Sequence, residues 1–543
     1  MTTTTTTIDK TTRYIAYGLI ALALLAFIGY FYVYNIYAFA LFQFPFDYDQ
    51  GEGYELLDTV LFSQGEWPYR DSNVYPFYSS NYPPIFHLAI VPLVWLFGPQ
   101  YWTGRLMGYL GTLVTASAIG YAVHRVGGRK RWWLTLLCAL GYLASNYVYH
   151  VGPLFRQHLF MVMFEVLAVV VLTVTYEREE QEGRSPMKGL LWVMLLLILA
   201  GYTKQLAYAT AVAVYIFMLL RNWKRPFIWG IPFTLVTGAI FLWINIATDG
   251  QWWTNTIAAN LNEFIREQAI MLYRQWFTLH MMITLVAAVY AFYQLYFERL
   301  SAYTIWFVVT AVNSVTAGTW GAGESYFVTT VAASLIITGI TFNRLLDWSA
   351  VELWRNPISA QTTLMVVIPI LFLWQANSVF HLPTHTPFLR TVASTLGYPT
   401  ETIKAPQTSC SAPRPPEAIP YVDKAFVNLG RPPTAEDTAA GIEIANLILE
   451  GGETAAFSEE AGFNFYVGRD IVTNPTQLRN LALAGELDLT NMLTMLDEQA
   501  FDTVIFRAQF FPPDVLNMIG QRYETTDLVQ MNGFVYCIMR PRP

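Results

Sequence analysis

The sequence predicts a polytopic α-helical membrane protein with a small α/β domain at its C-terminal end. Only 13% of the 543 residues are charged and 54% are hydrophobic, whereas a soluble domain is about 25% charged. Apolar stretches long enough to cross roughly 30 Å of hydrocarbon recur as far as residue 379. Beyond Phe380 the composition becomes that of a linker and then of a soluble domain.

The first apolar stretch, residues 14–42, follows Lys10 and Arg13. It is far longer than the apolar core of a signal peptide and has no clear cleavage site, so we expect it to be retained as the first transmembrane helix. Ten further stretches bring the expected number to about eleven: 103–123, 132–149, 158–176, 188–203, 205–220, 227–247, 278–297, 303–319, 324–342 and 361–379.

The distribution of Lys and Arg predicts the orientation. These residues concentrate before the first span and in every second loop, most densely in 125–131, 177–188 and 221–225. By the positive-inside rule these segments and the N-terminus are cytoplasmic, and the C-terminal domain is outside, which predicts a multi-pass protein of the plasma (inner) membrane. Counting 188–203 and 205–220 as two spans keeps this pattern. The net charge of −7 argues against a nucleic-acid partner.

Three regions follow from this reading. Residues 1–380 form the transmembrane domain, with a long outer loop at 43–102 in which the short apolar run Ile85–Gly98 lies along the membrane surface. Residues 381–433 form a linker rich in Pro, Thr and Ser. Residues 434–543 form an extracytoplasmic α/β domain, whose first helix at 434–450 has Thr434 as its N-cap. Cys410 and Cys537 could pair there.

Further elements of the C-terminal domain follow from alternating helical and β-branched patterns. The expected strands are 454–457, 502–507, 525–530 and 533–539, and the further helices lie near 475–484, 489–499 and 513–522.

An acidic motif, FDYDQGEGYE at Phe46–Glu55, follows the first span directly. Charge near hydrocarbon is poorly solvated, so these acids call for a functional explanation. A helix at Gly53–Ser63 would begin beside Asp49 and Glu52, and the positive end of its dipole would keep them ionised. Such a carboxylate suits a general base. The alternative interpretation is that the acids only cap the helix and solvate the loop.

The segments after this motif, GEWPYRD at Gly65–Asp71 and NYPP at Asn81–Pro84, resemble the outer loop of the GT-C glycosyltransferases. The similar branch contains bacterial relatives of protein O-mannosyltransferases and lipid A aminoarabinose transferases. Other similar segments cover most of the chain: Pro153–Arg156, Gly201–Gln205, Gly321–Phe327, Phe457–Gly462 and Asn474–Leu478. The resemblance implies a GT-C fold, a catalytic acid in the outer loop and a polyprenyl-phosphate sugar donor.

The implied activity is the transfer of a hexose or pentose to a hydroxyl of a glycan, protein or lipid acceptor, with inversion. Relatives often carry two adjacent acids, whereas here Gln50 and Gly51 separate Asp49 from Glu52. The base is therefore Asp49 or Glu52, with Asp49 preferred. The resemblance requires no cofactor, but Mg²⁺ or Mn²⁺ held by the same two acids is compatible with it.

Arg156 and Lys204 fall at the outer ends of spans, where they are candidates for binding the lipid phosphate. The alternative is that both extend to lipid headgroups or pair with the acidic loop. Weaker candidates for substrate binding are Tyr82, His158, Arg274 and Glu324. His87 and His280 are expected to be packed or interfacial rather than catalytic.

Two other function classes compete with the glycosyltransferase. A transporter or lipid flippase would carry charged groups in the middle of its spans and internal repeats. We expect the charges here to lie at the span ends, and the sequence shows no repeat. An inactive GT-C-like scaffold, whose C-terminal domain binds a partner, is the third hypothesis.

Overall fold

The computed structural model describes residues 2–260, 262–348, 360–379, 391, 394–395, 432–507 and 510–543. Each of the eleven predicted spans coincides with helical structure in this part of the chain. The membrane region contains α1 (Thr2–Gln43), α2 (Glu52–Ser63), α3 (Ile85–Phe97), α4 (Tyr101–Gly127), α5 (Trp132–Leu143), α6 (Asn146–Val151), α7 (His158–Glu182), α8 (Met187–Gly201), α9 (Tyr208–Arg221), α10 (Arg225–Ala247), α11 (Gln251–Thr256), α12 (Arg266–Phe297), α13 (Ala302–Asn313), α14 (Val328–Trp348) and α15 (Ala360–Ser378).

Seven of the described helical segments are long and apolar enough to cross a membrane, and shorter apolar helices accompany them. Helix α14 lies at the centre of the bundle, where it packs against α4, α5, α7, α12 and α13. Helix α10 lies at the periphery, since most of its large apolar side chains are exposed. The chain is thus a multi-pass membrane protein, and 188–203 and 205–220 are two separate helices, α8 and α9.

Two boundaries differ from the sequence prediction. The stretch 132–149 is not one helix, because the chain breaks after Leu143 and resumes at Asn146. Helix α12 begins at Arg266 rather than at residue 278, so its first three turns precede the predicted span. The helix is kinked at His280, which is buried and hydrogen-bonded to the Ser145 hydroxyl at 2.9 Å. The prediction that His280 is packed is confirmed.

The outer loop contains the pair α2 and α3, which pack against each other. Helix α3 matches the predicted surface helix and contains Pro92. Its last residues, Trp95, Leu96 and Phe97, expose large apolar side chains. An exposed apolar end on a short helix beside a membrane bundle is suited to the lipid interface.

The C-terminal region is an α/β unit. It contains α16 (Ala435–Gly451), α17 (Gly462–Tyr466), α18 (Pro475–Ala484), α19 (Thr490–Asp497) and α20 (Pro513–Arg522), with strands β1 (Phe457–Ser458), β2 (Val504–Phe506), β3 (Tyr523–Met531) and β4 (Phe534–Pro541). The strand order is β1-β2-β4-β3, with β1 and β2 parallel and the other pairs antiparallel. Thr434 caps α16 as predicted. The prediction missed α17 and placed β1 too early.

The expected linker 381–433 falls almost entirely outside the described residues, as does Cys410. Cys537 is disulfide-bonded, and Cys138 is a free, buried thiol. The α/β unit packs directly on the outer loop. Phe77 of the loop forms a parallel bridge with Thr473, and the ring of Phe46 lies 5.6 Å from that of Phe463. These contacts place the loop between the bundle and the sheet.

Candidate functional site

Asp47 joins the acidic motif to the C-terminal unit. Its Oδ1 accepts the N–H of Gly53 at 2.6 Å, and its Oδ2 accepts the Tyr101 hydroxyl and the N–H of Gly462, each at 2.8 Å. A Cβ on Gly53 or Gly462 would approach Oδ2 to 2.9 or 2.5 Å, so glycine permits both contacts. Burial raises the pKa of Asp47, and the donated hydrogen bonds oppose that rise. Asp47 therefore has a structural role, because it connects the outer loop to α4 and to the C-terminal unit.

Glu52 is fully buried in an ion pair with Arg105 of α4. Its Oε1 accepts Arg105 Nε at 3.0 Å and the N–H of Phe155 at 2.7 Å. Its Oε2 accepts Arg105 Nη2 at 2.8 Å and the N–H of Tyr48 at 2.9 Å. Arg105 also donates to three backbone carbonyls near the end of α1. Donors already surround both oxygens of Glu52, which argues against a role as base or as metal ligand.

Asp49 has a different environment, because its side chain is 38% exposed. Its Oδ2 accepts Arg156 Nε at 2.9 Å and Nη2 at 2.6 Å, while Oδ1 receives no hydrogen bond from the described residues. Arg156 also donates to the carbonyl of Gln50. Gly51 has φ of 99°, and a Cβ there would lie 3.1 Å from Arg156 Nη2. Burial opposes ionisation of Asp49, but the charges of Arg156, His150 and Arg507 and the hydrogen bonds from Arg156 together outweigh it and lower the pKa.

Lys204 lies in the break between α8 and α9. Its amine is 5.1 Å from the centre of the Tyr82 ring and 5.5 Å from that of Tyr326, and it donates to His158 Nδ1 at 3.3 Å. Among the described residues no carboxylate lies within 4.0 Å of this amine. Burial lowers the pKa of Lys204 to about 8, and the charge of Arg156 acts in the same direction. Within the described part of the chain Lys204 is thus a cation with aromatic neighbours and no ion-pair partner, and the nearby charge of Glu55 raises its pKa only in part.

The structure brings most of the predicted site residues to one end of the bundle. Asp49 contacts Arg156 directly, and Lys204 contacts Tyr82 and His158. Two weaker candidates fare differently. Arg274 is exposed on α12 rather than in a loop. Glu324 is buried at the start of the turn that leads to Tyr326, beside the ring that faces Lys204.

A buried cluster that the sequence did not predict lies one turn further along α2. Glu55 and Asp58 share one face of the helix and point to His87 of α3. His87 Nε2 is 3.3 Å from Glu55 Oε2 and 3.7 Å from Asp58 Oδ2. Asp58 also accepts the hydroxyls of Tyr78 and Ser80. Burial raises the pKa of Glu55 to about 7 and that of Asp58 well above its ordinary value. His87 is packed, as expected, but against two acids.

An apolar cavity of about 520 Å³ lies between the α2–α3 pair and helices α8 and α10. Tyr202 and Pro84 line it, and these residues lie two positions from Lys204 and from Tyr82 in the sequence. The N–H of Ile85 donates to the carbonyl of Tyr202 at 2.9 Å, which fastens α3 to the end of α8. Other lining residues include Phe62, Trp67, Leu88, Ile198 and Trp243. Lys204 and Tyr82 are therefore close in sequence to the lining of a cavity that is suited to a hydrocarbon chain.

The C-terminal unit adds a buried charge pair near the loop. Arg507 Nη1 lies 2.5 Å from Glu460 Oε1, and the Tyr536 hydroxyl donates to Glu460 Oε2 at 3.0 Å. The hydroxyl of Tyr54 on α2 donates to the carbonyl of Glu459 at 2.8 Å. The charge of Arg507 also contributes to the lowered pKa of Asp49. The sequence motif at Phe457–Gly462 pointed to this segment but not to its partner Arg507, which directly follows β2.

Glu165 corrects one expectation, because it is a charged residue type buried in the middle of a span. It lies on α7, and its two oxygens accept the hydroxyls of Thr210 at 2.6 Å and Thr329 at 2.7 Å. The statement that all charges lie at span ends is therefore wrong. Glu165 lies within the predicted span 158–176, so the sequence contained the signal. Its hydrogen bonds connect α7 with α9 and α14, which gives it a structural role.

No protein-family model and no curated protein sequence matches this chain. Solved structures do. ArnT from Cupriavidus metallidurans in the apo state is similar with a TM-score of 0.56 and 12% identity, over 95% of this chain and 97% of that chain. The structure of the same protein bound to undecaprenyl phosphate is similar with a TM-score of 0.55 and 13% identity, over 96% of this chain and 97% of that chain. The oligosaccharyltransferase of Archaeoglobus fulgidus, tethered with an acceptor peptide, is similar with a TM-score of 0.53 and 10% identity, over 95% of this chain and 73% of that chain.

Both neighbours are GT-C proteins, and the similarity extends over nearly the whole of this chain. The comparisons therefore confirm the fold that the motifs implied. The chain has the fold of these solved structures, with a multi-pass helical bundle followed by a small sheet-containing unit.

Proposed function

We propose that the protein is a membrane glycosyltransferase that moves a sugar from a polyprenyl-phosphate donor to an acceptor hydroxyl on the extracytoplasmic side, with inversion. The observation that carries the proposal is Asp49, an ionised acid that pairs with Arg156 through one oxygen and whose other oxygen is free of hydrogen bonds among the described residues. The GT-C fold supports the reaction class, and the ArnT structure bound to undecaprenyl phosphate supports the donor class.

In the proposed reaction Asp49 accepts the proton of the acceptor hydroxyl as that oxygen attacks the anomeric carbon. The bond between the anomeric carbon and the phosphate oxygen breaks, and polyprenyl phosphate leaves with the electron pair. In-line attack on the face opposite the phosphate inverts the configuration. A phosphate monoester is already a good leaving group, so the protein needs chiefly a base and cations that stabilise the developing charge.

Arg156 and Lys204 are the proposed phosphate ligands. In the structure Arg156 pairs with Asp49, so a donor phosphate that engages the guanidinium would compete with this carboxylate. Weakening the pair raises the pKa of Asp49, which makes it a stronger base once the donor is bound. Lys204 needs no such exchange. The apolar cavity that begins two residues away accommodates part of the prenyl chain.

The remaining candidates fit secondary roles. The ring of Tyr82 covers Lys204 and would contact the phosphate or the sugar. His158 accepts a hydrogen bond from the same amine and positions it. Glu324 lies at the start of the turn that supplies Tyr326. Membrane lipids surround the bundle, and a glycan, protein or lipid acceptor would approach from the side of the C-terminal unit.

The test uses purified protein in detergent and a labelled polyprenyl-phosphate sugar, and it measures released polyprenyl phosphate. Asp49→Asn should lower the rate by about 10²- to 10⁴-fold, because a general base is lost. Asp71→Asn is the matched control, since Asp71 is an exposed acid of the same loop. Equal rates for wild type, Asp49→Asn and Asp71→Asn would refute the role of Asp49. A wild type that turns over no lipid-linked sugar, but binds one, would favour the inactive scaffold.

A further inference from the structure

The contact with Thr59 indicates which ring nitrogen of a neutral His87 carries the proton. The Thr59 hydroxyl donates to the carbonyl of Glu55 at 2.9 Å, four residues earlier on α2. Its only hydrogen is thereby used, so the hydroxyl oxygen accepts from His87 Nδ1 at 3.1 Å. A neutral His87 therefore carries its proton on Nδ1 and presents a bare lone pair at Nε2. That nitrogen is fully buried and makes no hydrogen bond within the described part of the chain.

The bare nitrogen faces two carboxylate oxygens, Glu55 Oε2 at 3.3 Å and Asp58 Oδ2 at 3.7 Å. Glu55 Oε2 also lacks a hydrogen-bond partner among the described residues. Three electron-rich atoms in a buried space repel one another unless a proton or a metal ion lies between them. The nearest cation, Arg156, is 3.6 Å from the other oxygen of Glu55 and is shared with Asp49. It does not enter the space between the three atoms.

We propose that Glu55, Asp58 and His87 bind one divalent metal ion of the zinc class. In a tetrahedral zinc site with bonds of about 2.0–2.2 Å, the ligand atoms lie roughly 3.3 Å apart. The two measured separations to His87 are 3.3 and 3.7 Å, and all three ligand atoms lie within 4.8 Å of one another. One imidazole nitrogen and two carboxylate oxygens are donors that zinc accepts, and a fourth position remains for water.

The second layer of contacts fits a metal site. Thr59 orients His87 through Nδ1, while Tyr78 and Ser80 donate to Asp58. Ligands held in this way keep their tautomer and direction. The site is separate from Asp49 and Glu52, where we first placed a metal, and from the reacting groups of the proposed function. The ion would fasten α2 to α3 and hold Glu55 against Arg156, which positions the partner of Asp49 without touching substrate.

The test begins with full-length protein in detergent, freed of any affinity tag, dialysed against chelator and reloaded with zinc chloride. Mass spectrometry of the metal content should find one zinc per chain in the wild type. Glu55→Gln and His87→Gln should each lower the retained zinc by at least about tenfold. Glu165→Gln and His280→Gln are matched controls, because they change a buried Glu and a buried His outside the cluster. Both should keep the zinc.

A second measurement on the wild type stands even if the variants misfold. X-ray absorption at the zinc edge should show nitrogen and oxygen ligands with one imidazole and no sulfur, and zinc should raise the melting temperature of the chelated protein. Three results would overturn the proposal: a folded wild type that retains no zinc, zinc bound through sulfur, or full zinc retention in His87→Gln. The first would leave a proton shared between Glu55 and His87 in place of the ion. None of these results depends on glycosyltransferase activity.

Discussion

Replacing Glu52 by Gln separates a structural role from a catalytic one at the acidic motif. Glu52 and Arg105 are both fully buried, so the change leaves a guanidinium in the interior without its counter-ion. Removing one partner of a buried ion pair costs about 3–5 kcal/mol. The amide adds to this cost, because either orientation of its NH₂ group faces donors: Arg105 Nε with the N–H of Phe155, or Arg105 Nη2 with the N–H of Tyr48.

A loss of this size is a large part of the roughly 5–15 kcal/mol that stabilises a typical domain. The assay is the melting temperature in detergent, followed by size-exclusion chromatography of the heated sample. Asp49→Asn is the control, because Asp49 is 38% exposed and uses one oxygen for its pair. It should lose no more than about 1 kcal/mol. We expect Glu52→Gln to aggregate many degrees below both the wild type and Asp49→Asn.

A Glu52→Gln protein that melts with the wild type would refute this reasoning. If the same protein also lost transfer activity while Asp49→Asn retained it, the base would be Glu52. The resemblance to relatives with adjacent acids left this alternative open. The two variants therefore distinguish the interpretations in one pair of measurements.

Three further predictions concern the donor site, the contact between the outer loop and the C-terminal unit, and the orientation of the protein in the membrane. Arg156→Ala and Lys204→Ala should raise the donor KM more than the acceptor KM, with the exposed Arg274→Ala unchanged; an unchanged donor KM in the first two would mean that they only contact headgroups. Because the pKa of Lys204 is about 8, its charge is present below that pH and lost above it. Donor affinity should fall as the pH rises through 8, and Lys204→Arg should remove this fall. Gly53→Ala would place a Cβ 2.7 Å from Ala461 of the C-terminal unit. We expect this clash to lower the free energy of unfolding by about 1–3 kcal/mol and to make the C-terminal unit sensitive to protease. Gly201→Ala is the control and should have no effect, because a Cβ there meets nothing within 4 Å. A C-terminal alkaline phosphatase fusion should be active and a fluorescent protein fusion dark; the reverse would mean that the number of spans is wrong.

The helical bundle was predictable because the membrane thickness fixes the length of apolar sequence that a spanning helix needs. The break after Leu143 was missed because Ser145 and Asn146, residue types that favour a helix start, are only two polar residues within an otherwise apolar run. The start of α12 at Arg266 was missed because the first turns of this helix are polar. Its first turns contain Arg266 and Arg274, and their polar character matched a loop although they form a helix above the apolar part.

The candidate site was predictable only where a motif carried it. The order of segments identified Asp49, Arg156 and Lys204, but it gave no information about their partners. The pairing of Glu52 with Arg105 joins residues 53 positions apart, and no periodicity encodes such a pair. The cluster around His87 depends in the same way on how α2 packs against α3. Local patterns specify which helices form, whereas packing specifies which polar atoms meet.

The bond from the N–H of Gly462 to Asp47 spans 415 positions of the chain. At about 5–20 residues per second, the ribosome needs roughly 20–80 s to synthesise that interval. During this time the acidic loop has left the ribosome, but the glycine that completes its hydrogen bonds does not yet exist. The hydrogen bonds of the loop that carries Asp49 are therefore completed only after residue 462 has been synthesised. A chain that stops before residue 462 would leave Asp47 with only two of its three hydrogen bonds.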